Sequence, residues 1–306
     1  MMEKVSYKGW NNCYRLANDQ VELIITGDVG PRIIRFGFVN DVNEFCEFSD
    51  MVGKTGGDEW RIYGGHRLWH APEAKPRSYY PDNEPISLEM LDNDMVQVIQ
   101  STETTTGIQK EMDIFLDPED AHVRITHRLI NNGLWGVELA PWALSVMAPG
   151  GKVIFPLPPR GSHADGDLLP GNLLTLWSYT DLSDPRWTFG KKYIMLRQDP
   201  DAAEPQKIGA MVPDGWAAYA NHNHLFVKTF NFVPEALYPD FGCSVETFTN
   251  SDFIELETVA PLSWLEPGEM VEHEENWFLF KDIPLPKSDG DIEKNILPKI
   301  ESIEVY

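Results

Sequence analysis

At 306 residues, 42% hydrophobic and 24% charged, the chain carries enough apolar material for a sizeable core, which argues against disorder. Its 25 basic and 48 acidic side chains give a net charge of −23, a field that repels phosphate backbones and anionic lipid, so neither nucleic acid nor a membrane surface is expected as a partner. The three cysteines, Cys13, Cys46 and Cys243, form no CxxC pair, the start Met1 to Tyr7 has no apolar leader, and no run nears the ~18 apolar residues of a membrane span; the expectation is a soluble, cytoplasmic chain with reduced thiols.

In chain order, strand-like segments bounded by Gly, Pro, Asn or Asp recur throughout, and a long amphipathic helix is hard to find, which predicts an all-β fold. Val21 to Ile25 leads through Gly27-Asp28-Val29-Gly30-Pro31 into Arg32 to Phe38, a strand pair joined by a turn. Gly64-Gly65-His66-Arg67-Leu68-Trp69-His70-Ala71-Pro72-Glu73 then packs imidazoles, a guanidinium, an indole and a carboxylate into one segment. Imidazole moves protons near neutrality, guanidinium clamps oxygen atoms and an indole suits the C–H face of a sugar, so the segment reads as a site for a polyhydroxylated ligand.

Met95 to Ser101 and Ile108 to Phe115 flank a Thr-rich connection and predict a hairpin. His122 to Ile130 alternates polar with apolar residues and puts His127 on the apolar face, where a satisfied core histidine is expected rather than a catalyst. His222-Asn223-His224, read as strand, points two imidazoles one way as in a cupin metal site, but Lys228 stands where a carboxylate is needed. In Asp252 to Val259, alternation sets Glu255 and Glu257 on one face, opposite Ile254 and Leu256. Met270 to Phe280 reads as a long strand closing the sheet, and residues 281–306 as a strap over the body. With no repeat and no low-complexity linker, residues 1–306 are expected to form a single domain.

His66-Arg67-Leu68-Trp69-His70 has the outline of HExxH, but arginine stands where the metalloprotease needs its glutamate base. A metal-dependent lyase or isomerase built on His66, His70 and Glu73 is kept as a third option. There is no GxSxG elbow, glycine-rich phosphate loop or dinucleotide fingerprint. Among ten tryptophans, those beside Asp184-Pro185-Arg186-Trp187 and in the Gly64 to Glu73 segment suit stacking on a sugar with adjoining hydrogen bonds.

The chain resembles the galactose mutarotase-like superfamily, the aldose 1-epimerase group and its relatives. The likeness rests on the order of Gly27 to Ile33, the histidine-bearing Gly64 to Glu73 loop, Asn131-Asn132-Gly133 leading to Leu139-Ala140-Pro141-Trp142-Ala143-Leu144, Leu256-Glu257-Thr258 with Pro261, and Pro267-Gly268-Glu269. It implies a β-supersandwich of large twisted antiparallel sheets, with a cleft for a small sugar or oligosaccharide on an open face. It also implies acid/base opening and reclosure of the sugar ring without metal or organic cofactor. By position Glu257 resembles the family base, with Glu255 second, and His66 or His70 resembles the sugar-binding histidine. Trp142 stands where classical epimerases carry their acid histidine, so His66, His70 or His224 would have to supply the proton. Arg67, Trp69, Trp142, Asp184, Arg186 and Lys228 complete the expected ligand contacts. The alternative is a carbohydrate-binding or sensing protein that keeps the sandwich without catalysis.

Overall fold

Period-2 alternation of apolar and polar residues makes most of this chain into strands with one face to bury. Val21–Thr26 pairs antiparallel with Arg32–Phe38 across the Gly27 to Pro31 turn, and Met95–Ile99 pairs with Ile108–Leu116 across the Thr-rich connection. His122–Asn131 alternates half-buried and buried positions without a break, as its sequence pattern requires. These pairings come from a computed structural model that describes residues 2–91 and 95–303.

The strands assemble into two large antiparallel sheets, the expected all-β supersandwich. An eleven-stranded sheet runs in the order Met2–Tyr7, Trp10–Ala17, Val21–Thr26, Arg32–Phe38, Gly65–Ala71, Val137–Met147, Ile254–Val259, Val245–Thr249, Gln206–Ala210, Leu174–Leu176, with Ser263–Leu265 also paired to Val137–Met147. A ten-stranded sheet runs Trp187–Phe189, Tyr193–Arg197, Lys152–Pro156, Trp216–Asn221, His224–Phe230, Met270–Lys281, His122–Asn131, Ile108–Leu116, Met95–Ile99, Ser87–Met90. Their inner faces meet over a core in which Phe36, Phe45, Phe226 and Trp277 pack edge-on or tilted. Each such side chain contributes roughly 1.5–3 kcal/mol when removed from water, which lets the interior also hold a set of polar residues described below.

Three local readings change. The Gly64 to Glu73 loop holds the buried strand Gly65–Ala71. Met270–Lys281 does not close a sheet: it lies between His224–Phe230 and His122–Asn131, and this central position buries its Glu275 against Lys228. His222 and Asn223 are not strand residues; both have positive φ, 51° and 62°, and form the two-residue turn between Trp216–Asn221 and His224–Phe230. The cupin-like pairing of imidazoles is thereby lost.

After Lys281 the chain crosses the outer face of the ten-stranded sheet, laying Ile283, Ile292 and Ile296 on Ile154, Met195, Ala218 and Val227. Two short helices, Asp289–Asn295 and Leu297–Glu301, carry this contact, the first capped by the Ser288 side chain accepting from the Asp291 amide. Residues 304–306 of the expected strap lie outside the described residues. Among the described residues, no helix is long and apolar enough to cross a membrane.

Candidate functional cleft on the eleven-stranded sheet

Five neighbouring strands in register build the site. Arg67 lies opposite Leu144, Leu144 opposite Glu257, Glu257 opposite Glu246, and Glu246 opposite Gly209, so one rung crosses all five on a common face. The rung on one side carries Trp69, Trp142 and Val259, and the rung on the other carries Glu255, Phe248 and Lys207. This face points away from the inter-sheet core, since the alternate residues Leu68 and Leu256 lie in that core. Loops bring Trp60, Tyr79, Trp177 and Tyr179 over it and enclose a cleft of about 420 Å³. Gly209 makes room for this roof: a Cβ there would stand 3.3 Å from the Trp177 ring and 2.4 Å from the Cys243 sulfur.

Charge inside the cleft is dense and only partly matched. Arg67 Nη2 donates to Glu255 Oε1 at 3.0 Å, and its guanidinium stacks on Trp69 with 4.8 Å to the ring centre. Its Nε and Nη1 are buried with no hydrogen-bond partner. Trp142 Nε1 donates to Glu257 Oε2 at 2.8 Å. Lys207 Nζ sits 2.8 Å from Glu246 Oε2 and 3.3 Å from Glu257 Oε2, 4.6 Å from the centres of both the Trp142 and Trp177 rings. Burial pushes the Glu257 carboxyl up to about 7 against the pull of Lys207, with Glu255 adding to the rise. Burial likewise raises Glu246 to about 8. Lys207 itself resists the opposite effect of burial: Glu246 and Glu257 hold its ammonium well above the usual lysine range.

No sequence family matches the chain, and no curated protein resembles it in sequence. Solved structures do resemble it in shape. A TPR-domain containing protein from Parabacteroides distasonis ATCC 8503 aligns with a TM-score of 0.61 at 16% identity over 96% of this chain and 49% of that one, so the chain spans about half its length. A galactose mutarotase-like protein from Lactobacillus casei ATCC 334 aligns with 0.57 at 9% identity, over 88% of this chain and all (100%) of the other. A candidate aldose 1-epimerase from Escherichia coli K12 aligns with 0.54 at 12% identity over 92% and 100%. The chain has the galactose mutarotase-like fold.

On this mutarotase-like frame the expected site residues part company. Glu255, Arg67, Trp69 and Trp142 line the cleft, and Glu257 lies directly beneath Trp142 and Lys207. His66 and His70 share a strand with Arg67 but face the other way. His66 Nδ1 pairs with Ser145 Oγ at 2.9 Å and its Nε2 with His127 Nε2 at 2.7 Å, inside the space between the sheets. His70 is buried against Arg77, 2.7 Å away, and Glu103, 3.8 Å away. Neither imidazole reaches Glu257, because the backbone of the sheet stands between them. Burial keeps both below the ordinary histidine range, neutral rather than acidic.

The remaining contacts fall elsewhere in the mutarotase-like fold. Asp184 and Arg186 clasp each other at 2.8 Å, the guanidinium also donating to the Glu204 carbonyl, and neither lines the cleft. Lys228 is buried 2.8 Å from Glu275 between the sheets. His224 binds Glu44 at 2.7 Å, also away from the cleft. The trio His66, His70 and Glu73 does not converge, since Glu73 lines the cleft and the imidazoles lie behind it. His66, His127 and Glu275 do bring ligand atoms within 4.8 Å of one another. Those atoms are already engaged, by the imidazole–imidazole bond and by Lys228, Thr258 and Trp277 on Glu275.

Sequence reasoning missed Lys207, Glu246, Trp177 and Tyr179. The signal for the first two is a lone charge inside an otherwise apolar or Thr-rich strand, Gln206–Ala210 and Val245–Thr249, where burial requires a partner. Trp177 and Tyr179 sit in irregular chain and carry no periodic signal.

Proposed function

We propose that the protein binds a sugar in this cleft and acts on its anomeric centre, opening and reclosing the ring as an aldose 1-epimerase does. The observation that carries the reading is one cleft holding four indoles (Trp60, Trp69, Trp142 and Trp177) together with Arg67 donors that lack a protein partner and the Glu255 carboxylate. Indole faces match the C–H faces of a pyranose, and unpaired buried donors match its hydroxyls. The family resemblance favours Glu257 as base, whereas the cleft wall puts Glu255 within reach of a ligand; in this proposal Glu255 takes the anomeric proton and Glu257 supports it from below. Free, buried Cys13, Cys46 and Cys243 fit work in a reducing compartment such as the cytoplasm.

The test is NMR anomer exchange across an aldose panel, with calorimetric binding in parallel. Wild type should exchange at least one aldose, and Glu255→Gln should slow it by about 10²-fold or more while still binding. Equal rates for wild type, Glu255→Gln and Glu257→Gln would remove the catalytic assignment. A second reading, sugar binding without turnover, is favoured by the absence of any histidine lining the cleft among the described residues. Calorimetric binding with no exchange on any aldose would establish it.

A further inference from the structure

The catalytic reading needs a proton donor facing Glu255, and this inference rests on that reading. Four kinds of donor line the cleft. Arg67 cannot give up a proton under protein conditions, and indole N–H does not ionise. The Tyr79 hydroxyl is committed to Glu73. Tyr179 and Lys207 remain.

Lys207 and Glu255 sit on one rung, separated by the strand that carries Phe248, so their backbones stand about 10 Å apart, two strand spacings, with both side chains on the cleft face. An ammonium has three N–H donors. Glu257 accepts one, Glu246 lies against the head in an ion pair at 2.8 Å, and the Trp142 and Trp177 rings flank the ammonium itself, which holds it at the cleft wall.

We propose that Lys207 is the catalytic acid of this site, donating a proton to the ring oxygen of a bound aldose while Glu255 takes the proton of the anomeric hydroxyl. In the opening step the anomeric O–H bond breaks to Glu255, the C1 carbonyl forms, and the C1–O5 bond breaks with its electron pair left on O5. That oxygen takes a proton from Lys207, giving a neutral amine and a protonated Glu255. After rotation about C1–C2, the O5 hydroxyl attacks the other carbonyl face, its proton returns to Lys207, and Glu255 reprotonates the carbonyl oxygen. No electron acceptor or outside reactant enters. An alkoxide oxygen is a stronger base than an amine, so an ammonium held charged by Glu246 and Glu257 still donates downhill.

The experiment measures anomer exchange by NMR and sugar binding by calorimetry for wild type, Lys207→Met, Lys207→Arg and Tyr179→Phe. Lys207→Met should slow exchange by about 10²- to 10⁴-fold with binding kept within about tenfold. Lys207→Arg preserves the charge for Glu246 and Glu257, so it should fold even where the methionine variant does not. It cannot release a proton, and should show the same loss. Tyr179→Phe should slow exchange far less than either Lys207 variant; a loss as deep as that of Lys207→Arg would overturn Lys207 as the donor. Active wild type with Lys207→Arg within about threefold of it would overturn Lys207 as donor and leave the catalytic reading standing. A wild type that binds sugar but exchanges no anomer would overturn both.

Discussion

Gly65–Ala71 and Ile254–Val259 each present polar residues on both faces, and the two faces differ in how fully those groups are matched. On the inner face His66 meets Ser145 and His127, His127 meets the His273 carbonyl, and Thr258 meets His273 and Glu275. Glu275 also accepts from Lys228 and from Trp277 Nε1. On the outer face, Arg67 Nε and Nη1, both oxygens of Glu246 and one of Glu257 have no hydrogen-bond partner. A closed network between sheets stabilises one packing, whereas unmatched donors and acceptors beside an open cleft leave hydrogen-bonding capacity unused. Around His66, histidine therefore belongs to a closed scaffold network, whereas His70 Nε2 on the same face is buried without a hydrogen-bond partner; what sets the candidate site apart is unpaired charge crowded beside one cleft.

The contrast breaks first at Glu275. Replacing it by alanine strands Lys228 in the interior, and urea unfolding should show a loss of about 3–5 kcal/mol. A loss under about 1 kcal/mol would mean that the inner network is not a matched scaffold. Arg67→Met should do the reverse. Losing hydrogen bonds to a charged group weakens sugar binding by about 1.5–3 kcal/mol, roughly ten- to a hundredfold by calorimetry, with far less effect on unfolding than Glu275→Ala.

The smallest effect, and the sharpest comparison, is the opposite pH response of the two faces. Burial lowers His273 to about 3, and lowers His127 as well, so between pH 3 and 6.5 the unfolded chain binds protons that the folded chain refuses. The inner face thus loses stability as pH falls below about 6.5. Burial raises Glu257 to about 7 and Glu246 to about 8, so above the ordinary carboxyl range the folded chain holds protons that the unfolded chain has released. The outer face thus loses stability as pH rises from about 4.5 towards 7 or 8. Unfolding midpoints taken across pH 4–8 should flatten on the acid side for His273→Gln and on the neutral side for Glu257→Gln; the same profile for both variants would erase the distinction.

Much of this was legible beforehand where a residue's neighbours along the chain decide its environment. Alternation alone set Glu255 beside Glu257 on one face and His127 on the buried one, and turn residues marked the two early hairpins. The same alternation in Gly65–Ala71 divides Arg67 and Trp69 from His66 and His70, yet the segment reads as one cluster because composition is blind to facing. Lys228 and Arg186 read as ligand contacts from their charge, and each proved to be paired with a carboxylate, Glu275 in one case and Asp184 in the other.

What the sequence by itself determined is the all-β class, several of the strands and, in His122 to Ile130 and Asp252 to Val259, which residues share a face, since these follow from period-2 patterning and turn chemistry within a few residues. Which strands lie side by side was decided only in three dimensions. Lys207, Glu246, Glu257 and Arg67 share one face of the sheet through pairings among segments far apart in the chain, and that register reflects the collective burial of two inner faces rather than any local signal.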